Sequence, residues 1–193
     1  SCVAGNHDLA LAFGDDIENF NPEAQKAIAW QKGQLTKENI DFLGQLPHHI
    51  IPTPDIYVAH GSPQKPTWGY ILTNQSAKDA LEFSPLDHNQ KRFVICGHTH
   101  YQSIFLQREG QELDWIHLEI GTEYTLHGRA VINPGSVGQP RDRDNRAAYA
   151  IFDPANGSVT PHRVQYNIDS VIQLIQNCEA LPPNNANRLI FGT

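Results

Sequence analysis

Three short segments join glycine to histidine where an extended run breaks off: Gly5-Asn6-His7-Asp8, Ala59-His60-Gly61 and Gly97-His98-Thr99-His100. The second and third directly follow Ile56-Tyr57-Val58-Ala59 and Phe93-Val94-Ile95-Cys96, apolar runs rich in β-branched and aromatic residues that predict buried strands. The first follows only Cys2-Val3-Ala4, read as the end of a strand. Glycine lets the backbone turn sharply after each of them. In an open α/β sheet the ligand crevice lies beyond the carboxyl ends of the strands, so loops far apart in sequence converge there. The pattern predicts an α/β sheet with imidazoles gathered at one end, the arrangement of a metal centre.

The rest of the chain supplies helices first and strands later. Asn21-Pro22 sets a cap residue before proline at the first helical position, predicting a helix that carries Ala24, Ala27, Ile28 and Trp30 to about Gly33. Thr36 caps a second helix bearing Ile40, Phe42 and Leu43, which stops before Pro47. Short helices are predicted over residues 76–83 and 85–91. Strands are predicted over residues 103–106, 113–118, 130–133, 147–152 and 159–165, with Gly110 and Asp153-Pro154-Ala155-Asn156-Gly157 as hairpin turns. Val171, Ile172, Leu174 and Ile175 stripe a helix over residues 169–178, and a helical tail after Pro182-Pro183 docks Leu189, Ile190 and Phe191. The expected architecture is one layered α/β domain over residues 1–193 whose latter part is mainly antiparallel sheet.

Bulk properties narrow the function. At 193 residues, 39% of them hydrophobic, the chain can bury a core. Its net charge of −7 argues against general nucleic-acid binding, which normally presents a basic face. A small phosphorylated substrate stays open, because bound divalent cations reverse the sign of the local field. No apolar run approaches the ~20 residues that span a bilayer, and residues 1–5 lack the regions of a secretory signal. Cys2, Cys96 and Cys178 are widely spaced and read as reduced thiols of a cytoplasmic protein. The sequence opens with Ser1 and contains no methionine, which leads us to expect that it is N-terminally incomplete.

Imidazole nitrogen and amide oxygen suit Zn, Mn, Fe or Ni better than Ca or Mg. His98 and His100 flank a single residue, so their rings can address two adjacent metals, and His60 with Asn6 would complete much of one coordination sphere. A histidine beside the metals, His7, can give a proton to a leaving oxygen or stabilise transition-state charge. Asp8 can hold that imidazole in the required tautomer.

In their order and context these segments resemble the calcineurin-like metallophosphoesterase family. Ile132-Asn133-Pro134-Gly135-Ser136 and Gln139-Pro140-Arg141-Asp142 resemble its small bacterial branch related to YfcE-type phosphodiesterases. The resemblance implies a four-layer αββα sandwich and a dinuclear centre of Mn, Fe, Zn or Ni, with Mn favoured. It implies that Asn6, His60 and His98 bind the second metal, that His100 binds the first, and that His7 is catalytic with Asp8 as its partner. The implied reaction is attack of a metal-bound hydroxide on phosphorus, in line with the leaving oxygen. The family's Asp-x-His and Gly-Asp motifs should lie before Gly5, so the resemblance also implies an absent N-terminal βαβ unit of roughly 30 residues. A non-catalytic scaffold with this fold is the rival reading, although it has no chemical need for His7, Asp8, His60, His98 and His100 together.

Other residues carry two readings each. His48-His49 reads as a solvated connector. His88, His117, His127 and His162 lack a glycine-loop context, though His127-Gly128 lies near the expected rim and could touch substrate. Asn133 belongs either to a structural turn or to the floor of the site. Arg141 is a phosphate clamp or a member of a solvated, charge-cancelling loop. Cys96 reads as a packing residue, and Trp30, Trp68 and Trp115 as core or rim aromatics. Sequence leaves substrate identity, native metal and oligomeric state open.

Overall fold

A computed structural model of the chain describes residues 1–83 and 92–193. In chain order the elements are α1 (Asn6–Phe13), a 3-10 turn (Ile17–Asn19), α2 (Pro22–Gln34), α3 (Lys37–Gly44), β1 (His49–Thr53), β2 (Ile56–Ala59), α4 (Asn74–Leu81) and β3 (Phe93–Ile95). They continue with β4 (Ser103–Gln107), β5 (Asp114–Ile116), β6 (Tyr124–Thr125), β7 (Arg129–Asn133), β8 (Ala147–Asp153), β9 (Ser158–Val164), α5 (Ile168–Gln176) and α6 (Asn184–Phe191). Six strands form one mixed sheet in the order β1-β2-β3-β7-β4-β5, and β6-β9-β8 form a second, antiparallel sheet. Within the larger sheet the central pairs β2–β3 and β3–β7 are parallel.

Period-two alternation assigns the faces of the central strands. Tyr57, Val94, Phe105 and Val131 point to the side packed by Ala77, Ala80 and Leu81 of α4. Ile56, Phe93, Ile104 and Ile132 point the other way, toward Leu126 and Val159 under the smaller sheet. Both faces are covered, so these strands read as unbroken apolar runs. Burying each such side chain contributes about 1.5–3 kcal/mol.

The first motif departs from the expected strand and loop. Residues 2–4 form no strand, and Asn6, His7 and Asp8 are the first turn of α1. Gly5 caps this helix in an extended conformation, and its N–H donates to the Asp8 carboxylate at 2.8 Å. An acid at the third helical position reaching back to the cap satisfies a donor that the helix itself cannot. Gly14, at φ 80°, ends the helix in the left-handed region. Ala10 and Leu11 then pack on Phe20 and Ile28, which joins α1 to α2.

Other boundaries fall close to expectation. Asn21 and Thr36 cap α2 and α3 through their side chains, as the sequence indicates. Thr73, not a later residue, caps α4. The His48-His49 connector is corrected: His49 opens β1, an edge strand, and its ring stacks on Tyr57 at 5.1 Å. Pro52 is tolerated in β1 because an edge strand leaves one row of backbone groups unpaired. The helix expected over residues 85–91, and His88 with it, lies outside the described residues.

The C-terminal helices α5 and α6 share a small core of Ile172, Ala186 and Leu189. The Gly192 carbonyl accepts the Arg143 N–H at 2.9 Å, and the Asn184 amide donates to Glu23 of α2 at 2.9 Å. These bonds hold α6 beside the loop after β7 and across from α2. No helix among the described residues is long and apolar enough to cross a membrane.

Candidate metal centre

Parallel pairing sets two histidines side by side. Val58 of β2 is in register with Ile95 of β3, so His60 and Gly97 leave the sheet together, and the Gly97 N–H donates to the His60 carbonyl at 2.8 Å. The His60 Nε2 and His98 Nδ1 atoms then lie 2.9 Å apart. Gly5 brings the first turn of α1 against them: a Cβ there would stand 3.1 Å from the His60 ring, tight enough to displace it. Asn6, His7, His60, His98, His100 and Arg141 all line one cavity of about 570 Å³.

The loop after β3 holds its histidines in a costly backbone shape. His98 and His100 have φ of 61° and 59°. Left-handed backbone costs an L residue roughly 1–2 kcal/mol and persists only where the surroundings enforce it. Asn133, at the end of β7, does much of the enforcing: its amide donates to the Gly97 carbonyl and to Thr99 Oγ1, each at 2.8 Å. Its oxygen accepts the Gly135 N–H at 2.9 Å, so all of these polar atoms serve the loop and its neighbouring turn. His100 is oriented by a 2.6 Å bond between its Nδ1 and the Gln139 carbonyl, which leaves Nε2 for the cavity.

Burial makes the imidazoles neutral ligands. His98 is pushed down to about 3 and His100 to about 4, in both cases mainly by desolvation, with neighbouring positive groups adding to it. His7 and His60 are lowered for the same first reason, while the Asp8 carboxylate partly restores their proton affinity. Asp8 acts on His7 through charge, while its carboxylate accepts a hydrogen bond from the Gly5 backbone N–H. Tyr70 stacks on His98 with centroids 4.1 Å apart, and Phe20 meets His7 edge-on at 4.7 Å.

The cavity therefore gathers Asn6, His7, His60, His98, His100 and Arg141. It does not gather the other two substrate candidates. Asn133 is buried at 2% exposure beneath the loop, and His127 is exposed away from the cavity lining. Arg141 donates to Gln139 Oε1 at 2.8 Å, and its backbone N–H donates to the His100 carbonyl at 3.1 Å. Tyr70, Gln139 and Arg188 are cavity residues that the sequence did not single out for this role. Only Gln139 carried a signal, as part of the Gln-Pro-Arg-Asp segment.

The donor set fits a transition metal. Among the described residues His98 Nε2 is buried without a hydrogen-bond partner, while Nδ1 of the same ring faces His60 Nε2. His60 Nε2 and His98 Nδ1 meet at 2.9 Å in a hydrogen bond, so their nitrogens would converge on an ion that took the place of the shared hydrogen. Among the described residues no three His, Cys, Asp or Glu side chains form a ready cage; the fit rests on two imidazoles and the buried Asn6 amide.

The sequence profile of the calcineurin-like phosphoesterase superfamily domain matches residues 1–157, and the chain belongs to that family. Over 200 aligned residues it is 31% identical to the uncharacterized protein MJ0912 of Methanocaldococcus jannaschii, covering 98% of this chain and 74% of that protein. The crystal structure of a metallophosphoesterase from Sphaerobacter thermophilus superposes with a TM-score of 0.80 at 36% identity, covering 99% of this chain and 76% of that one. The hypothetical protein PH1004 of Pyrococcus horikoshii OT3, 20% identical over 99% of this chain and 72% of its own, shares the fold with a TM-score of 0.75. The fold is thus the mixed α/β type of metallophosphoesterases, a central sheet flanked by helices, and the protein is a hydrolase of phosphoesters. Proteins of this family generally bind divalent metal ions.

Proposed function

We propose that the chain is a cytoplasmic, metal-dependent phosphodiesterase or broad phosphatase acting on a small phosphorylated substrate through a dinuclear centre, with Mn favoured. The observation that carries this reading is the 2.9 Å approach of His60 Nε2 to His98 Nδ1 in a cavity that Asn6, His7 and His100 also line. Asn6, His60 and His98 would hold one ion, and His100, with Nε2 turned to the cavity, would contribute to the other. Ions there would polarise the phosphoryl oxygens and lower the pKa of a water molecule for use as nucleophile.

The chain's own residues do the rest. Arg141 has a neutral partner, Gln139 Oε1, so its guanidinium keeps its charge for an anionic phosphoryl group. His7 lines the cavity while keeping solvent exposure, and desolvation lowers its pKa against the opposing pull of Asp8; a phosphoryl anion beside it would favour the imidazolium, which can give its proton to the leaving oxygen. Phe20 meets the His7 ring edge-on and packs on Trp68, which limits the orientations the imidazole can take.

The test is steady-state hydrolysis of p-nitrophenyl phosphate and bis-p-nitrophenyl phosphate with Mn²⁺, in wild type and His7→Asn. Turnover that EDTA abolishes and that His7→Asn lowers by roughly 10²–10⁴ supports the reading. Turnover insensitive to EDTA, or unchanged in His7→Asn, overturns it. The ratio of the two substrates decides between diester and monoester preference.

A further inference from the structure

Arg188 enters the histidine cavity from α6, half-buried, and among the described residues its guanidinium meets no carboxylate or hydrogen-bond acceptor. Arg141, which lines the same cavity with the histidines, has among the described residues only the neutral Gln139 oxygen as side-chain partner. Among the described residues, then, two cationic side chains line one cavity and neither forms an ion pair, in a chain whose net charge is −7. Arg146 and Arg163, outside the cavity, are by contrast matched to Asp144 and Asp142. A partly desolvated cation without a partner is costly, and an anion from outside relieves that cost. Glu23 is the carboxylate among the described residues that lines this cavity; it accepts the Asn184 amide on Oε2 and makes no ion pair with Arg188 or Arg141.

Size and lining add a second constraint. A volume of about 570 Å³ is far more than a lone phosphoryl group fills and lies within the range of about 300–1,000 Å³ typical of organic-ligand sites. Val171, Ile175, Leu189, Ala24 and Ala27 form an apolar wall on the α5–α6 and α2 sides. That wall suits a carbon skeleton held between the two arginines.

We propose that Arg188 forms a second anion subsite, so that the cavity takes an organic phosphoester carrying another anionic group, phosphate or carboxylate, at its far end. This deepens the phosphoesterase reading and rests on it only for which end reacts.

The test is calorimetric binding to the full chain, loaded with Mn²⁺ and desalted. The probes are propylphosphonate, a series of alkane-α,ω-bisphosphonates of increasing length, and the matching phosphonocarboxylates. Wild type should bind one length of doubly anionic probe at least roughly tenfold tighter than propylphosphonate, and Arg188→Gln should erase that difference. Whether phosphonate or carboxylate gives the larger gain names the second group. Equal binding of all probes by wild type overturns the subsite, and so does a difference that survives in Arg188→Gln. Arg188→Met, which keeps the length of the apolar stem, gives the same reading should the glutamine variant unfold. Discrimination without turnover of aryl phosphates sinks the phosphoesterase reading and leaves the subsite standing; turnover without discrimination sinks the subsite alone.

Discussion

His60 Nε2 and His98 Nδ1 stand 2.9 Å apart because two parallel strands in fixed register release their chains at the same level. His98 is buried and His60 half-buried, and His98 is held down to about 3, mainly by desolvation. This has a consequence for stability. A histidine whose folded pKa lies below its unfolded value of 6.5 binds fewer protons folded than unfolded as pH falls. The sign is therefore destabilising on acidification, beginning near the unfolded pKa and growing until the folded pKa is reached. Each such ring loses up to about 1.4 kcal/mol per pH unit within that window. In EDTA the urea midpoint should drop on going from about pH 7.5 to about pH 5, and His98→Gln should make that drop shallower. A midpoint that rises on acidification would contradict the burial of these rings.

Arg163 and Asp142 form an ion pair whose side chains are only 4% and 6% exposed. Arg163 also donates to Gln102 Oε1 and to the Asp144 carbonyl, and Asp142 accepts the Gln102 N–H at 3.0 Å. This cluster anchors the segment that carries Gln139 and Arg141. Asp142→Ala strands a buried guanidinium and should cost about 3–5 kcal/mol by urea unfolding. Loss below about 1 kcal/mol would mean that water reaches the pair.

Gly135 combines φ 86° with a would-be Cβ 2.6 Å from Ala148 Cβ. Gly135→Ala should cost more than the roughly 1–2 kcal/mol of left-handed strain alone, measured as a fall in unfolding midpoint. Gly5→Ala differs in kind. Its backbone is in an ordinary extended region, and the new methyl meets the His60 ring at 3.1 Å. We expect a modest stability change and a loss of roughly 10–100-fold in Mn²⁺ affinity, as when a ligand's orientation is disturbed. Unchanged affinity would mean that His60 tolerates displacement.

The parts of this site that were readable in sequence are those where one signal dominates. Strands β2, β3 and β7 are covered on both faces, so their apolar runs stand out, and Gly97-His98-Thr99-His100 follows directly from one of them. Helix α1 was misread because Gly5-Asn6-His7-Asp8 has the composition of a turn; the Asp8-to-cap bond and terminal Gly14 were the helical signals that outweighed it. Strand β1 hid behind Pro52 and two histidines, residues that an edge strand accepts. The two-residue β6 is set by pairing with β9, a long-range contact with no local pattern. Tyr70 and Arg188 reach the cavity through tertiary packing, which no spacing rule encodes.

The most direct measurement of the central claim is electron paramagnetic resonance of Mn²⁺ added to the purified chain, with electron–nuclear methods that detect coupled nitrogen. The account predicts bound Mn²⁺ with imidazole nitrogen hyperfine coupling in wild type, reduced in His60→Ala and in His98→Ala. A spectrum of free aqueous Mn²⁺, or nitrogen coupling that survives both substitutions unchanged, would contradict it.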